Sequence, residues 1–109
     1  MYPNVRVVQP TGILDGTQAN EFRDAISDSL NAGEKCILVD LQEVTFMDSS
    51  GLAALITAVR LVQSAGGKLH ICSPNQQIRM LFELTSMDRV FLIFSNQEEF
   101  KEKFQQGEC

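Results

Sequence analysis

A chain of 109 residues, 44% hydrophobic and 21% charged, has the size and balance of one globular domain that can bury a core without disulfides or metals. Its net charge of −5 argues against binding the nucleic-acid backbone, which needs clustered Lys and Arg. No apolar run approaches the roughly 20 residues of a membrane span, and the opening Met1-Tyr2-Pro3-Asn4-Val5-Arg6 lacks the basic-then-apolar pattern of a signal peptide. The expectation is a single domain over 1–109, cytoplasmic, with no membrane and no nucleic acid among its partners.

In chain order, Val5 to Gln9 reads as a strand closed by Pro10, and Gly12-Ile13-Leu14-Asp15-Gly16 as a turn-rich lead-in. Asp15 or Thr17 is placed to cap a first helix, in which Phe22, Ile26 and Leu30 recur every four residues. Gly33 suits the left-handed position after it. Cys36 to Leu41 is continuously apolar apart from Asp40, as in a strand buried on both faces of a parallel sheet. A helix over 50–65 follows, with Leu52, Leu55, Ile56, Val59 and Val62 on one face and Gly66-Gly67 as its stop. Lys68 to Cys72 is the next strand. Ser73-Pro74-Asn75-Gln76 reads as a capping box for a helix whose inner face is Ile78, Leu81, Phe82 and Thr85. Val90 to Phe94 is the last strand, and Ser95-Asn96-Gln97-Glu98 opens a short helix with Phe100 and Phe104 inward. The order βαβαβαβα predicts an α/β fold: a mostly parallel sheet of about four strands with about four helices, joined by right-handed crossovers.

In such folds the loops at the carboxyl ends of the strands carry the sites. The junction Phe46-Met47-Asp48-Ser49-Ser50-Gly51-Leu52 is one of them, and it places two hydroxyls at a helix N-terminus. Unpaired backbone N–H groups and the positive end of the helix dipole make that a favourable place for an anion, including a phosphate carried on serine. Asp or Ser there also serves as an ordinary N-cap worth about 1 kcal/mol. A single cap suffices, however, and the junction offers Asp48, Ser49 and Ser50 in succession.

Enzyme motifs are missing. His70 is the only histidine, and strand alternation does not say which face it takes. No serine stands in a G-x-S-x-G elbow, and no glycine run matches a phosphate-binding loop. Asp40 and Glu43 have no visible partner. Cys36, Cys72 and Cys109 have no paired spacing; the first two read as reduced, apolar strand residues and Cys109 as exposed. The chain is expected to be no enzyme, with no catalytic residues, metal or cofactor.

The junction and its surroundings resemble the STAS-domain family of anti-sigma factor antagonists. The matching pieces are Gly12-Ile13-Leu14-Asp15, the Phe46–Leu52 core, Ala65-Gly66-Gly67, Ser73-Pro74 and Leu84-Thr85-Ser86-Met87-Asp88-Arg89-Val90-Phe91, in the right order over nearly the whole chain. The resemblance implies a STAS fold with a (βα) superhelical wind. It also implies a partner switch. The unphosphorylated protein binds an anti-sigma factor that is a serine kinase and frees the sigma factor; phosphorylation releases the kinase; and a PP2C-type serine phosphatase resets the cycle. The implied acceptor is Ser49, with Ser50 as fallback, while Asp48, Ser50, Gly51 and Asp15 shape the loop and partner surface. Ala53 and Ser86 stand where the family commonly has glycine. The rival reading is a STAS module of a non-sigma signalling scaffold or a transporter-associated complex.

Overall fold

The computed structural model describes residues 5–90 and 92–104. Its elements are β1 (Val5–Val8), β2 (Gly12–Leu14), α1 (Ala19–Asn31), β3 (Cys36–Asp40), β4 (Val44–Met47), α2 (Ser49–Ser64), β5 (Lys68–Cys72), α3 (Gln76–Leu84), β6 (Ile93–Phe94) and α4 (Gln97–Lys103), with a 3-10 turn at Met87–Arg89. Four strands form a parallel sheet in the order β1-β3-β5-β6. The expected α/β STAS architecture, a mostly parallel four-stranded sheet with four helices, is therefore present.

Two differences matter for the site. The segment read as a turn-rich lead-in contains β2, and β4 runs into the start of the segment read as a junction; the two pair in parallel as a separate two-stranded sheet with Ile13 opposite Phe46. The expected strand over 90–94 shrinks to Ile93–Phe94, because a 3-10 turn precedes it. Within the expected span Phe91 lies outside the described residues, as does Cys109, expected to be exposed.

The two faces of the main sheet are unequal. On one, Ile37, Val39, Leu69 and Ile71 meet Phe22 and Ile26 of α1, Leu52, Leu55, Val59 and Val62 of α2, and Ile78 and Phe82 of α3. Each fully buried aliphatic or aromatic side chain contributes about 1.5–3 kcal/mol. Alternation sends Cys36, Leu38 and Cys72 to the other face, where Phe94 of β6 and Phe100 of α4 complete a smaller cluster. Cys36 is disulfide-bonded, which corrects the expectation of a reduced thiol, whereas Cys72 is free and buried.

The helix ends follow local chemistry shifted by a residue or two from expectation. Neither Asp15 nor Thr17 caps α1, whose N-cap is Gln18 without a side-chain bond. The cap of α3 is Asn75, whose carbonyl accepts from Ile78 N–H, so Pro74 precedes the cap instead of opening the helix. Likewise Asn96 caps α4. Gly33 and Gly66 take positive φ just after α1 and α2, as a left-handed helix stop requires. Ser86, at a position where the resemblance implies glycine, has φ 58°, so the family's residue answers a real backbone demand that serine here meets under strain.

His70 turns to the smaller face and is 5% exposed. Its ring stacks on Phe104 at 5.0 Å between centroids and meets Phe94 edge-on and Phe100 at a tilt, and neither ring nitrogen has a hydrogen-bond partner among the described residues. Burial, with a smaller contribution from the Lys68 charge, pushes its pKa down from 6.5 to about 4. Above pH 6.5 the imidazole is neutral whether the chain is folded or not. As pH falls from 6.5 toward 4 the unfolded chain takes the proton first, so stability falls across that window by up to about 3 kcal/mol and no further below it. Denaturant titrations at pH 7 and pH 4.5 should show this loss in the wild type and a smaller one in His70→Leu; equal losses would place the acid sensitivity elsewhere.

Candidate functional site

The site is built where β4 enters α2. Asp48 is extended, at φ −106° and ψ −172°, and its Oδ1 accepts the Gly51 N–H at 2.9 Å, so Asp48 is the N-cap of α2. Its backbone carbonyl accepts the Leu52 N–H at 3.0 Å, the first bond of the helix ladder. Ser49 and Ser50 are then the first two helical residues. Both are exposed, and no hydrogen bond joins either hydroxyl to the described residues. With the capping duty met by Asp48, both hydroxyls are left over at a helix end whose first N–H groups have no carbonyl within the helix to bond.

Gly51 lets this helix start lie against β2. A Cβ at that position would stand 2.1 Å from the Leu14 carbonyl oxygen and 2.9 Å from Met47 Cγ. The Asp48 N–H reaches the same Leu14 carbonyl at 3.4 Å. The end of β2 therefore sits directly beneath the first turn of α2. The loop that follows it is shaped by Asp15, whose Oδ1 accepts both the Thr17 N–H at 2.9 Å and the Thr17 hydroxyl at 2.6 Å. Those bonds hold the Asp15 carboxyl below its ordinary pKa, the Thr17 hydroxyl contributing most. Within that turn, a Cβ on Gly16 would lie 3.7 Å from Ser50 Oγ, an ordinary contact. The structure thus brings Asp15, Asp48, Ser49, Ser50 and Gly51 together at one end of the fold, from two chain segments.

Two residues at the start of α3 take roles here that the sequence does not mark. Gln77 of α3 accepts the Met47 N–H through Oε1 at 3.0 Å and donates from Nε2 to the Met47 carbonyl at 2.8 Å. Asn75 donates from Nδ2 to the carbonyls of Val44 and Thr45, at 3.3 and 3.0 Å. Together they bind β4 as a neighbouring strand would, and fasten the residue before Asp48. Asn75 is legible as a cap, but its second role depends on where α3 packs.

Asp40, partnerless in the sequence, is fully buried, and among the described residues it accepts from neutral donors that include the Gln42 N–H, Gln9 Nε2 and Gln97 Nε2. It ties β1 and α4 to the end of β3 and lies apart from the serines in the chain; such bonds offset the cost of burying a carboxyl. Among the described residues no helix is long and apolar enough to cross a membrane.

The fold and site define a small α/β domain that presents a serine pair at a helix start beside an acidic loop. The chain belongs to the STAS domain family, whose description matches residues 1–100. It is similar to the anti-sigma-B factor antagonist of Staphylococcus aureus, with 28% identity over 73% of this chain and 74% of that one. A crystal structure from Thermotoga maritima, provisionally described as an anti-sigma factor antagonist, superposes with a TM-score of 0.86 at 27% identity, covering 94% of this chain and 89% of the other. The anti-sigma factor antagonist SpoIIAA in its unphosphorylated form shares the fold at a TM-score of 0.61 and 24% identity, over 83% of this chain and 92% of its own.

Proposed function

We propose that the protein is an anti-sigma factor antagonist. Its unphosphorylated form binds an anti-sigma factor serine kinase and frees the sigma factor. Phosphorylation of Ser49 releases the kinase, and a PP2C-type serine phosphatase restores the binding form. The protein is no enzyme itself; it works in the cytoplasm as a single domain.

The observation that carries the reading is the division of labour at the helix start. Asp48 takes the cap, so the Ser49 hydroxyl is exposed and free of structural duty. The relatives named as antagonists support the role, and a STAS fold solved in both an unphosphorylated and a phosphorylated form supports the switch. Asp48 is assigned to loop geometry, since its carboxylate is engaged by Gly51 N–H and a kinase brings its own aspartate for the hydroxyl proton. Asp15, Ser50 and Gly51 shape the partner surface around the acceptor.

The test is phosphopeptide mapping after incubation with the partner kinase and ATP. Phosphate on Ser49 is expected. Phosphate on Ser50 would move the acceptor by one residue, and phosphate on neither would sink the switch for this chain.

A further inference from the structure

The small β2–β4 sheet has a feature that neither the fold nor the serine requires. Ile13 and Phe46 stand opposite one another in register, and both are largely exposed, at 53% and 46%. Leu14, Val44 and Met47 are buried in the core, an irregularity in the β2–β4 register letting both Val44 and Met47 point inward, so the ribbon is anchored without the exposed pair. A cross-strand Ile–Phe pair facing water returns only about 0.2–1 kcal/mol to the sheet and leaves two large apolar side chains in solvent. It lies directly ahead of Asp48 in the chain, on the ribbon whose Leu14 end supports the first turn of α2.

We infer that Ile13 and Phe46 form an apolar docking ridge for the same protein partner that reads Ser49, received in an apolar pocket on that partner. The partner's identity rests on the switch reading above. Three observations select this occupant. Phe46 precedes Ser49 by only three residues and Ile13 precedes the Leu14 carbonyl that lies against Gly51, so ridge and acceptor belong to one small region of the fold. Residues 12–17 and 44–52, which hold the ridge, the loop and the acceptor turn, contain no Lys or Arg but carry Asp15 and Asp48. That charge disfavours an anionic lipid surface or a nucleic acid. Finally, Asn75 and Gln77 already occupy backbone groups of Val44, Thr45 and Met47, so a partner adding a strand to β4 would have to break those bonds. Recognition therefore falls to the side-chain face, and the clamp holds that face rigid, which limits the entropy lost on binding.

The test uses the full chain and the purified partner kinase in titration calorimetry. The variants are Ile13→Thr, Phe46→Thr and the pair together, with threonine chosen because it keeps strand propensity, and with Ser49→Asp alongside. Each ridge variant should weaken binding about tenfold and the pair about a hundredfold, with melting temperature lowered by no more than about 8 °C, so the binding loss is not a loss of fold. A paired variant that binds within about twofold of wild type while Ser49→Asp lets go would overturn the ridge and leave the switch standing. Loss of binding in the ridge variants with Ser49→Asp binding as wild type would support the ridge and sink the switch. Wild-type protein gives a readout independent of any substitution: the Ile13 methyl and Phe46 ring resonances should shift in the complex, and unmoved resonances would overturn the ridge. Wild-type binding to phosphatidylglycerol vesicles that the paired variant loses would give the ridge to a membrane and overturn the inference.

Discussion

Gly51→Ala should strongly destabilise the protein. In an exposed helix interior alanine is favoured over glycine by about 1 kcal/mol, so propensity alone predicts stabilisation. The site reverses the sign. The added methyl would stand 2.1 Å from the Leu14 carbonyl oxygen and 2.9 Å from the carbon of that carbonyl, both backbone atoms. Leu14 is held by pairing with Met47 and by its buried side chain, so neither it nor the fully buried Met47 can step aside cheaply. The helix must lift off the ribbon, and overpacking of this kind against backbone costs about 3 kcal/mol or more. For a domain of this size that is a fall in melting temperature of about 12 °C or more. The lift also breaks the Asp48–Gly51 cap bond, so the acceptor turn should fray before the core does. Calorimetric melting of Gly51→Ala against wild type checks the sign; a higher melting temperature would mean the helix start does not lie on Leu14 as described.

That reversal shows where the sequence stops being legible. The strand at 36–40 is visible as a continuous apolar run buried on both faces, and α1, α2 and α3 are visible because their apolar residues repeat at helical spacing and bury a whole face. The ribbon is not, because β2 and β4 are only three and four residues long and turn Ile13 and Phe46 to water, so no alternation marks them. The last strand is overrun by its own composition: Val90 and Leu92 look like strand residues yet are about half exposed, while only Phe94 of that segment is buried among the described residues. At the site, the residue types were legible and the division of roles was not. Asp48, Ser49 and Ser50 are all competent caps, and only the backbone geometry decides that Asp48 takes the Gly51 N–H. Glycine at 51 reads as a loop residue, whereas its duty is to let a helix touch a strand. Gln77 lies thirty residues from Met47, and its two bonds to that peptide follow from the packing of α3, which no local pattern encodes.

Ser49→Asp should weaken binding of the partner kinase by more than about a hundredfold, which is roughly 3 kcal/mol. The fold itself should tolerate the change. Ser49 is exposed at the first position of α2, where a negative charge meets the positive end of the dipole, an arrangement that stabilises by about 0.3–1 kcal/mol. The melting temperature should therefore stay level or rise slightly, which separates this variant from Gly51→Ala. The consequence falls on the interface. A partner surface fitted around a neutral hydroxyl must strip water from a carboxylate, or from the phosphate with its charge of about −1.5 to −2, and supply donors that it lacks. Asp48 and Asp15 bring carboxylates to the same neighbourhood, and residues 12–17 and 44–52 hold no Lys or Arg, so the new charge gains little compensation from the turn itself that an incoming partner could exploit. Ser49→Ala should bind as tightly as the unmodified wild type and stay bound when ATP is added, since the released state can no longer be reached. Calorimetry of the three proteins with the kinase, before and after ATP, measures all of this at once. Tight binding by Ser49→Asp, or ATP-driven release of Ser49→Ala, would show that the switch does not turn on this hydroxyl.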